Sequence, residues 1–397
     1  MGRRMLLVTR RFWPLCTPPE SRLLELMDAW RRRGAKISAA TPQWERSWPA
    51  HLVVREMQVT RIPHFPRRMW GDYWYLRRLQ QWLRRRVGEF ERIVVWRLRL
   101  DALAALRAGA ERGVPVIVLY EGCGEEGDAV WLRKSPHGER ILEACRRAAA
   151  ICTFCDGAYE EVQRLGLPPE RCLRLETIEP AVAATEEARR AARVHLLESN
   201  RDFFTTPTTP VGLTIGPLEE TETMRRLFAA WSRLREVQPE ARLWWIGDGS
   251  RRSSLDSILG DYELRYHAVL PGEFDAWEEL IAAADVYLAP HGSCGGAALR
   301  ALAAGRPVIA ADSADLRGQL PASAPVHYVR PGDADALAEA LRQAFASPTS
   351  LAQLAATSRA WAATRRNEME IAQEHLERIE QLCQRAPKPA PQEDLTR

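Results

Sequence analysis

Residues 241–250 read Ala-Arg-Leu-Trp-Trp-Ile-Gly-Asp-Gly-Ser, an apolar run that ends in a loop with two glycines. The run predicts a buried strand, and Gly247, Asp248 and Gly249 predict a turn at the carboxyl end of that strand. On both sides of this segment, short apolar runs continue to alternate with helical stretches. Such alternation is typical of a parallel sheet that is covered by helices on both faces.

The predicted strands fall into two series. The first series covers residues 5–9, 36–40, 92–96, 115–119 and 149–154, and the second covers residues 211–215, 241–246, 265–270, 285–289, 307–311 and 326–329. Between them, residues 186–197 are compatible with a helix, and residues 205–210 have a composition typical of a linker. We therefore predict a domain over residues 1–180, a linker over 181–210, a second domain over 211–365, a helix over 366–385 and a disordered tail over 386–397.

Length and composition exclude several classes of protein. The chain has 397 residues, a hydrophobic fraction of 46% and a formal net charge of only +4. It is long enough for two globular domains, and its nearly balanced charge gives no sign of nucleic-acid binding. No apolar run approaches the roughly 18 residues of a membrane-spanning helix. The eight scattered cysteines do not form a disulfide pattern, so we predict a cytoplasmic protein. Cys152 and Cys155 are interpreted as core thiols, with metal binding or redox chemistry as the alternative.

Three loops of the second domain follow predicted strands, and all contain glycine. They cover residues 216–222, 247–250 and 290–296, and the third leads into a helix. In open parallel sheets, ligands bind beyond the carboxyl ends of the strands, where helix N-termini also attract anions. Glycine lets the backbone approach a phosphate group closely. The three loops together predict an anion or nucleotide site.

The chain resembles the GT-B glycosyltransferases, in particular the large retaining family four. The likeness is carried by residues 241–250, 280–290, 301–312 and 329–337, in matching order and spacing. The resemblance implies two Rossmann-like doubly wound domains that face each other across a cleft, with a final helix that crosses back. It also implies a nucleotide-sugar donor on the second domain, a glycan or lipid-linked acceptor on the first, and transfer with retention. No metal ion or other cofactor is expected, because Asp333 and Asp335 are interpreted as part of a helix cap.

The resemblance also assigns candidate site residues. The donor side comprises Gly216, Gly247, Asp248, Gly249, His291, Gly292, Gly295, Gly296 and Arg300. The acceptor side comprises Arg10, Arg11, Phe12, Tyr120 and Glu121. Glu121 and His291 are the candidates for a catalytic role.

Several family residues are replaced in this chain. The paired glutamates of the family fall on Gly292 and Arg300, and its diphosphate-binding arginine and lysine fall on Pro217 and Glu222. In the first domain, residues 16–19, Tyr120 and 177–179 replace the family's glycine pair, histidine and asparagine–glycine turn. Candidate replacement cations are Arg225, Arg226, Arg251, Arg252, His291 and Arg300. Arg300 is expected near the first turn of its helix, facing the donor, so that Arg300→Ala weakens donor binding without loss of stability.

Two other functions stay open. A catalytically inactive GT-B protein that acts as a binding or scaffold partner explains the missing glutamates and cations directly. A nucleotide-sugar epimerase shares the architecture, but it too requires carboxylates in the cleft.

Residues 61–86 contain eight arginines and six aromatic residues against a single acid, Asp72. From Tyr75 onward, apolar residues at helical spacing predict an amphipathic helix that covers the first sheet. The alternative interpretation is a peripheral contact of this segment with anionic lipids at the inner face of the membrane.

Overall fold

Two sets of short apolar runs form two parallel sheets, each in its own unit of the computed structural model. The structure describes residues 3–15, 18–63, 68–123, 127–179, 185–219, 221–274 and 277–385. The first unit comprises residues 1–178 and 367–397, and the second comprises residues 179–366. The predicted class, an α/β protein with two parallel-sheet domains, is confirmed.

The first unit contains an eight-stranded sheet. Its strands are β1 (Arg4–Val8), β2 (Lys36–Pro42), β3 (His51–Val54), β4 (Met57–Ile62), β5 (Arg92–Trp96), β6 (Val116–Leu119), β7 (Ala150–Thr153) and β8 (Cys172–Arg174). Their spatial order is β3-β4-β2-β1-β5-β6-β7-β8. Neighbouring strands run parallel except β3 and β4, which form an antiparallel hairpin. This hairpin and β8 were not predicted.

The second unit contains a six-stranded parallel sheet. Its strands are β9 (Val211–Ile215), β10 (Arg242–Ile246), β11 (Ala268–Gly272), β12 (Val286–Ala289), β13 (Val308–Ala311) and β14 (Val326–Val329). Their spatial order is β11-β10-β9-β12-β13-β14. All residues of β9 and β12 are buried, because helices cover both faces of this sheet.

Helices connect these strands. They are α1 (Pro18–Arg32), α2 (Arg68–Arg86), α3 (Leu100–Arg112), α4 (Asp128–Lys134), α5 (Gly138–Cys145), α6 (Asp156–Arg164), α7 (Glu186–Ser199), α8 (Thr221–Arg235), α9 (Leu255–Asp261), α10 (Glu278–Ala283), α11 (Gly295–Ala303), α12 (Ala314–Gln319), α13 (Ala334–Ala344), α14 (Pro348–Ala363) and α15 (Glu368–Arg385). The last helix, α15, packs against α1 in the first unit. A carboxylate oxygen of its Glu380 also lies 3.0 Å from Nη2 of Arg92 on β5.

The predicted linker, residues 181–210, has a different structure over its described part. Thr185 caps the N-terminus of α7, and α7 packs against α10 of the second unit. Arg189 and Arg193 of α7 lie 3.0 and 2.9 Å from the oxygens of the buried Asp285 carboxylate. The helix agrees with the pattern of residues 186–197, but its packing on the second unit was not predicted, because these contacts lie about ninety residues apart in sequence. Residues 181–184 lie outside the described part of the chain.

The amphipathic helix predicted within residues 61–86 is confirmed as α2. Its side chains Tyr75, Leu79 and Leu83 are fully buried, whereas Tyr73 and Trp74 are exposed. The exposed face also carries the arginines Arg77, Arg78, Arg84, Arg85 and Arg86. Contact of this face with lipid stays a prediction. Residues 64–67, and the side chains of residues 68–70, lie outside the described part.

Three further findings concern features singled out in the sequence. Within the described residues, no helix is both long enough and apolar enough to cross a membrane. Cys152 is buried in β7, and this burial raises the pKa of its thiol, whereas Cys155 precedes α6. Asp333 caps α13 as predicted, by accepting a hydrogen bond from the Ala336 N–H. The predicted tail, residues 386–397, lies outside the described part.

Candidate functional site

Three adjacent strands of the second unit, β10, β9 and β12, carry the three predicted loops at their carboxyl ends. Strand order reverses between β9 and β12, because the chain builds outward from β9 in one direction and from β12 in the other. Ligands of doubly wound sheets bind at such a reversal. Gly216 follows β9 and His291 follows β12, so both residues flank this point.

The first two loops are bound to each other through their backbones. The Leu218 N–H donates to the Asp248 carbonyl over 3.0 Å, and the Arg251 N–H donates to the Leu218 carbonyl over 3.1 Å. The Glu219 carboxylate accepts hydrogen bonds from the N–H and the hydroxyl of Ser250, at 3.1 and 2.6 Å. These bonds hold the pKa of Glu219 below its ordinary value. The loops therefore form one connected surface.

The glycines of these loops are required by their close packing. A Cβ atom at Gly247, whose φ is +150°, would lie 2.1 Å from the Gly216 carbonyl oxygen. A Cβ atom at Gly249 would lie 2.4 Å from the Leu218 oxygen, and one at Gly216 would lie 2.7 Å from Cys294 Sγ. From the sequence, these glycines were interpreted as allowing the close approach of a phosphate group. In the structure they are also required for a second reason, because they let the three loops approach one another.

His291 is the partly exposed side chain at the start of the third loop. Its Nδ1 lies 2.7 Å from the Ser293 hydroxyl, and its Nε2 lies 3.5 Å from Cys294 Sγ. Its ring stands 6.4 Å from the ring of Trp245, whose indole N–H donates to the Gly216 carbonyl over 3.1 Å. The imidazole is thus held by its own loop and lies beside Trp245 of β10 and Gly216 of the first loop.

The third loop is shorter than predicted, because α11 begins at Gly295. Gly295 and Gly296 are buried in its first turn. Gly292 lies beside α12: a Cβ atom there would lie 3.0 Å from the Cβ of Asp315, and its carbonyl accepts a hydrogen bond from Gln319 over 2.9 Å. A carboxylate from a different helix therefore lies next to position 292. Asp315 had no signal in the sequence, since only the tertiary fold brings α12 to this loop.

The structure contradicts the prediction for Arg300. This residue lies in the last turn of α11, not the first, and its side chain is 0% exposed. Its Nε lies 3.4 Å from a carboxylate oxygen of Glu179, and its guanidinium stacks 4.8 Å from the centre of the Trp277 ring. Near a helix C-terminus the macrodipole favours a cation. Arg300 is therefore a buried structural arginine.

Three of the predicted replacement cations, Arg225, Arg226 and Arg252, already have partners on the surface. Arg225 lies 3.2 Å from Asp261. Arg226 lies 2.8 Å from Glu222 on its own helix, and Arg252 donates to the Leu270 carbonyl over 2.8 Å. Arg251 is exposed and, among the described residues, has no carboxylate oxygen within 4 Å. Its charge helps to lower the pKa of Glu219 on the same surface, but its guanidinium stays exposed to an incoming ligand.

Two of the predicted acceptor residues of the first unit, Phe12 and Tyr120, are buried and have contacts within the protein. Phe12 is 2% exposed in the apolar core. The Tyr120 hydroxyl donates to Glu161 over 2.7 Å and accepts from the Ala129 N–H over 3.0 Å. Burial raises the pKa of this phenol. Phe12 and Tyr120 are therefore corrected to structural residues, and Arg11 is exposed.

Arg10 and Glu121 do lie in a charged cluster, at the carboxyl ends of β1 and β6. Arg10 forms an ion pair with Asp72, and Glu121 forms one with Arg22. Glu121 is 5% exposed; burial raises its pKa, and the charge of Arg22 partly offsets this. Arg22 had no signal in the sequence, because it lies on α1 and reaches Glu121 only in the fold. Within the described residues, no cluster of three or more acidic, His or Cys side chains is arranged to hold a metal ion.

Asp101 is a buried carboxylate in the same region. It is 1% exposed, and its Oδ2 lies 3.9 Å from Arg10 Nη1. Burial raises its pKa, and the charge of Arg10 only partly offsets this effect. A raised pKa in the folded state means that the folded protein binds the proton more tightly than the unfolded chain does. The stability contributed by protonated Asp101 is therefore present at low pH and is lost as the pH rises through the folded-state pKa.

Asp101→Asn is accordingly expected to increase stability more at pH 7 than at pH 4, because the neutral amide never requires a buried charge. Melting temperatures of wild type and variant at both pH values test this. Glu139→Gln, on an exposed position of α5, is the control and is expected to show the same small difference at both. A melting-temperature difference for Asp101→Asn that does not change with pH would contradict the prediction.

Comparisons with known proteins agree with this architecture. Residues 19–177 match the family model described as Glycosyltransferase Family 4, and residues 209–347 match the model described as Glycosyl transferases group 1. A search of curated proteins finds no match to the sequence.

Solved structures similar to this chain are glycosyltransferases of the GT-B fold, at low sequence identity. Sucrose-phosphate synthase from Thermosynechococcus elongatus has 16% identity and a TM-score of 0.70, with 96% of this chain and 99% of that chain covered. Anabaena HepE in complex with UDP-glucose has 14% identity and a TM-score of 0.72, covering 96% and 100%. WaaG, a glycosyltransferase involved in lipopolysaccharide biosynthesis, has 16% identity and a TM-score of 0.67, covering 94% and 99%.

Proposed function

Because the chain belongs to the group 1 glycosyltransferases of the family-four type, we propose that it transfers a sugar from a nucleotide-sugar donor to a glycan or lipid-linked acceptor, with retention of configuration. The observation that carries the proposal is the joining of three loops at the strand-order reversal of the second unit. The donor class is further supported by Anabaena HepE, which has this fold and was solved with UDP and with UDP-glucose.

The loop surface offers suitable groups for a nucleotide diphosphate. Helix α11 begins directly after the third loop, so its first backbone N–H groups add partial positive charge there. Arg251 supplies a full positive charge at the edge of the second loop. His291 is partly exposed and lies against Gly216, so we assign it to contact with the donor. Glu121, in the first unit, is the remaining candidate for a catalytic role.

Calorimetric titration with uridine, guanosine and adenosine diphosphate sugars is expected to give binding for at least one of them. Arg251→Gln should weaken that binding about tenfold, because a charge-assisted contact to phosphate is lost. Arg225→Gln is the matched control, since Arg225 is an exposed arginine already paired with Asp261, and it should leave the affinity unchanged. Absence of heat at millimolar concentration for every donor would overturn the proposed function.

A catalytically inactive binding protein is the second candidate. It is favoured by one observation, namely that the chain has Gly292 and a buried, ion-paired Arg300 where the family has glutamates. Donor hydrolysis separates the two candidates. Slow release of free sugar from a bound donor would support the enzyme, whereas tight donor binding without hydrolysis or transfer would support the binding protein.

A further inference from the structure

Arg97 follows β5 at the strand-order reversal of the first unit. In this sheet the order reverses between β1 and β5, so the carboxyl ends of these two strands mark the ligand position of a doubly wound fold. Arg97 has a φ of +68°, a left-handed backbone conformation that residues other than glycine rarely adopt. Its N–H donates to the Leu119 carbonyl over 3.0 Å, and its carbonyl accepts from the Arg99 N–H over 3.1 Å. Strained residues of this kind cluster at functional sites.

Arg97 also differs from the neighbouring arginines in its charge balance. Arg10, Arg22 and Arg99 form ion pairs with Asp72, Glu121 and Asp128. Among the described residues, Arg97 has no carboxylate oxygen within 4 Å, and its Nε is buried without a hydrogen-bond partner. A buried donor of this kind costs free energy unless another group satisfies it.

The surrounding charges favour an incoming anion. Burial lowers the pKa of Arg99, the ion pair with Asp128 partly offsets this, and the charges of Arg97 and Arg10 lower the pKa further. These guanidinium groups therefore repel one another. Of the carboxylates nearby, Asp72, Glu121 and Asp128 form ion pairs with the other three arginines, although the charge of Arg97 also acts on Glu121. The pKa of Asp101 is raised by burial. A dianion beside Arg97 would relieve the repulsion between the guanidinium groups.

We propose that Arg97 binds a phosphate group of the acceptor substrate. The fork of N–H donors on a guanidinium matches phosphate oxygens, and a phosphate dianion compensates more of the local positive charge than a carboxylate does. This inference rests on the proposed function, because it assigns the acceptor to the first unit. It narrows the acceptor to a phosphorylated compound, either a sugar phosphate or the phosphate head of a lipid carrier.

Calorimetry with inorganic phosphate, glucose 6-phosphate and farnesyl phosphate tests the proposal on the intact chain. Wild type is expected to bind at least one of the two organic phosphates, and Arg97→Gln is expected to bind it at least about tenfold more weakly. Arg97→Lys keeps the charge but loses the fork, so its affinity is expected to lie between those of wild type and Arg97→Gln. Arg55→Gln is the matched control, since Arg55 is an exposed arginine of the same unit that also has a positive φ, of 44°.

A fourth variant separates ligand binding from folding. Arg97→Gly removes the guanidinium but suits the left-handed backbone, so it should lose phosphate affinity without a lower melting temperature. Tighter binding of glucose 6-phosphate than of farnesyl phosphate would support the proposal with a sugar acceptor, and the reverse would support it with a lipid acceptor.

Two results would overturn the assignment. One is equal affinity of wild type and Arg97→Gln, and the other is phosphate binding that saturating UDP abolishes, since UDP is expected on the second unit. The proposed function is tested separately by donor binding, which requires no contact with Arg97. Donor binding without phosphate binding would therefore overturn only the assignment of Arg97.

Discussion

Arg300→Ala is expected to lower the free energy of unfolding of the second unit by about 3–5 kcal/mol, because it removes the cation that lies 3.4 Å from the buried Glu179 carboxylate. It also removes the guanidinium that stacks on Trp277, and it leaves a cavity in the interior. For a unit of this size, the loss corresponds to a melting temperature lower by roughly 10 °C. The sequence alone had suggested the opposite, a loss of donor affinity with stability retained.

Thermal unfolding followed by circular dichroism measures this effect. Arg190→Ala is the control, because Arg190 forms an exposed ion pair with Glu186 and should change stability by less than about 1 kcal/mol. Replacing both partners, as Arg300→Met with Glu179→Met, should recover most of the lost stability, since no charge then stays buried. An unchanged melting temperature for Arg300→Ala would show that the ion pair does not support the unit.

Gly247→Ala is expected to weaken nucleotide-sugar binding at least about 100-fold. The new Cβ would lie 2.1 Å from the Gly216 carbonyl oxygen, and a φ of +150° is strained for alanine. Either the loop after β10 or the loop after β9 must therefore move. Loss of two charge-assisted donor contacts of about 1.5 kcal/mol each through that movement corresponds to roughly 100-fold in affinity.

Donor titration by calorimetry measures the effect on affinity, and circular dichroism checks that the second unit stays folded. Gly34→Ala is the matched control: its φ is +94°, but nothing lies within 4 Å of the new Cβ, and it belongs to the first unit. It should destabilise the protein slightly and leave donor affinity unchanged. Equal donor affinity in Gly247→Ala and wild type would show that the contact between the two loops is not needed for binding.

The sequence by itself determined the two parallel sheets and the position of the loops. Strands such as β5 and β9 begin and end where they were predicted, because a strand buried on both faces leaves a nearly continuous apolar run. Loop positions follow from the same rule, since all strands of the second sheet run parallel and end at one edge. The amphipathic pattern of α2 was equally local, with a spacing that needs no knowledge of distant residues.

Only the tertiary structure decided which charged side chains meet around the candidate sites. Arg300 meets Glu179 from a position 121 residues away, Glu121 meets Arg22 across 99, and Asp315 reaches Gly292 from a separate helix. Periodicity reports which face of a segment is buried, but an ion pair depends on which distant segments pack together. A buried arginine and an exposed one look alike in sequence, because the partner that makes burial tolerable lies elsewhere in the chain.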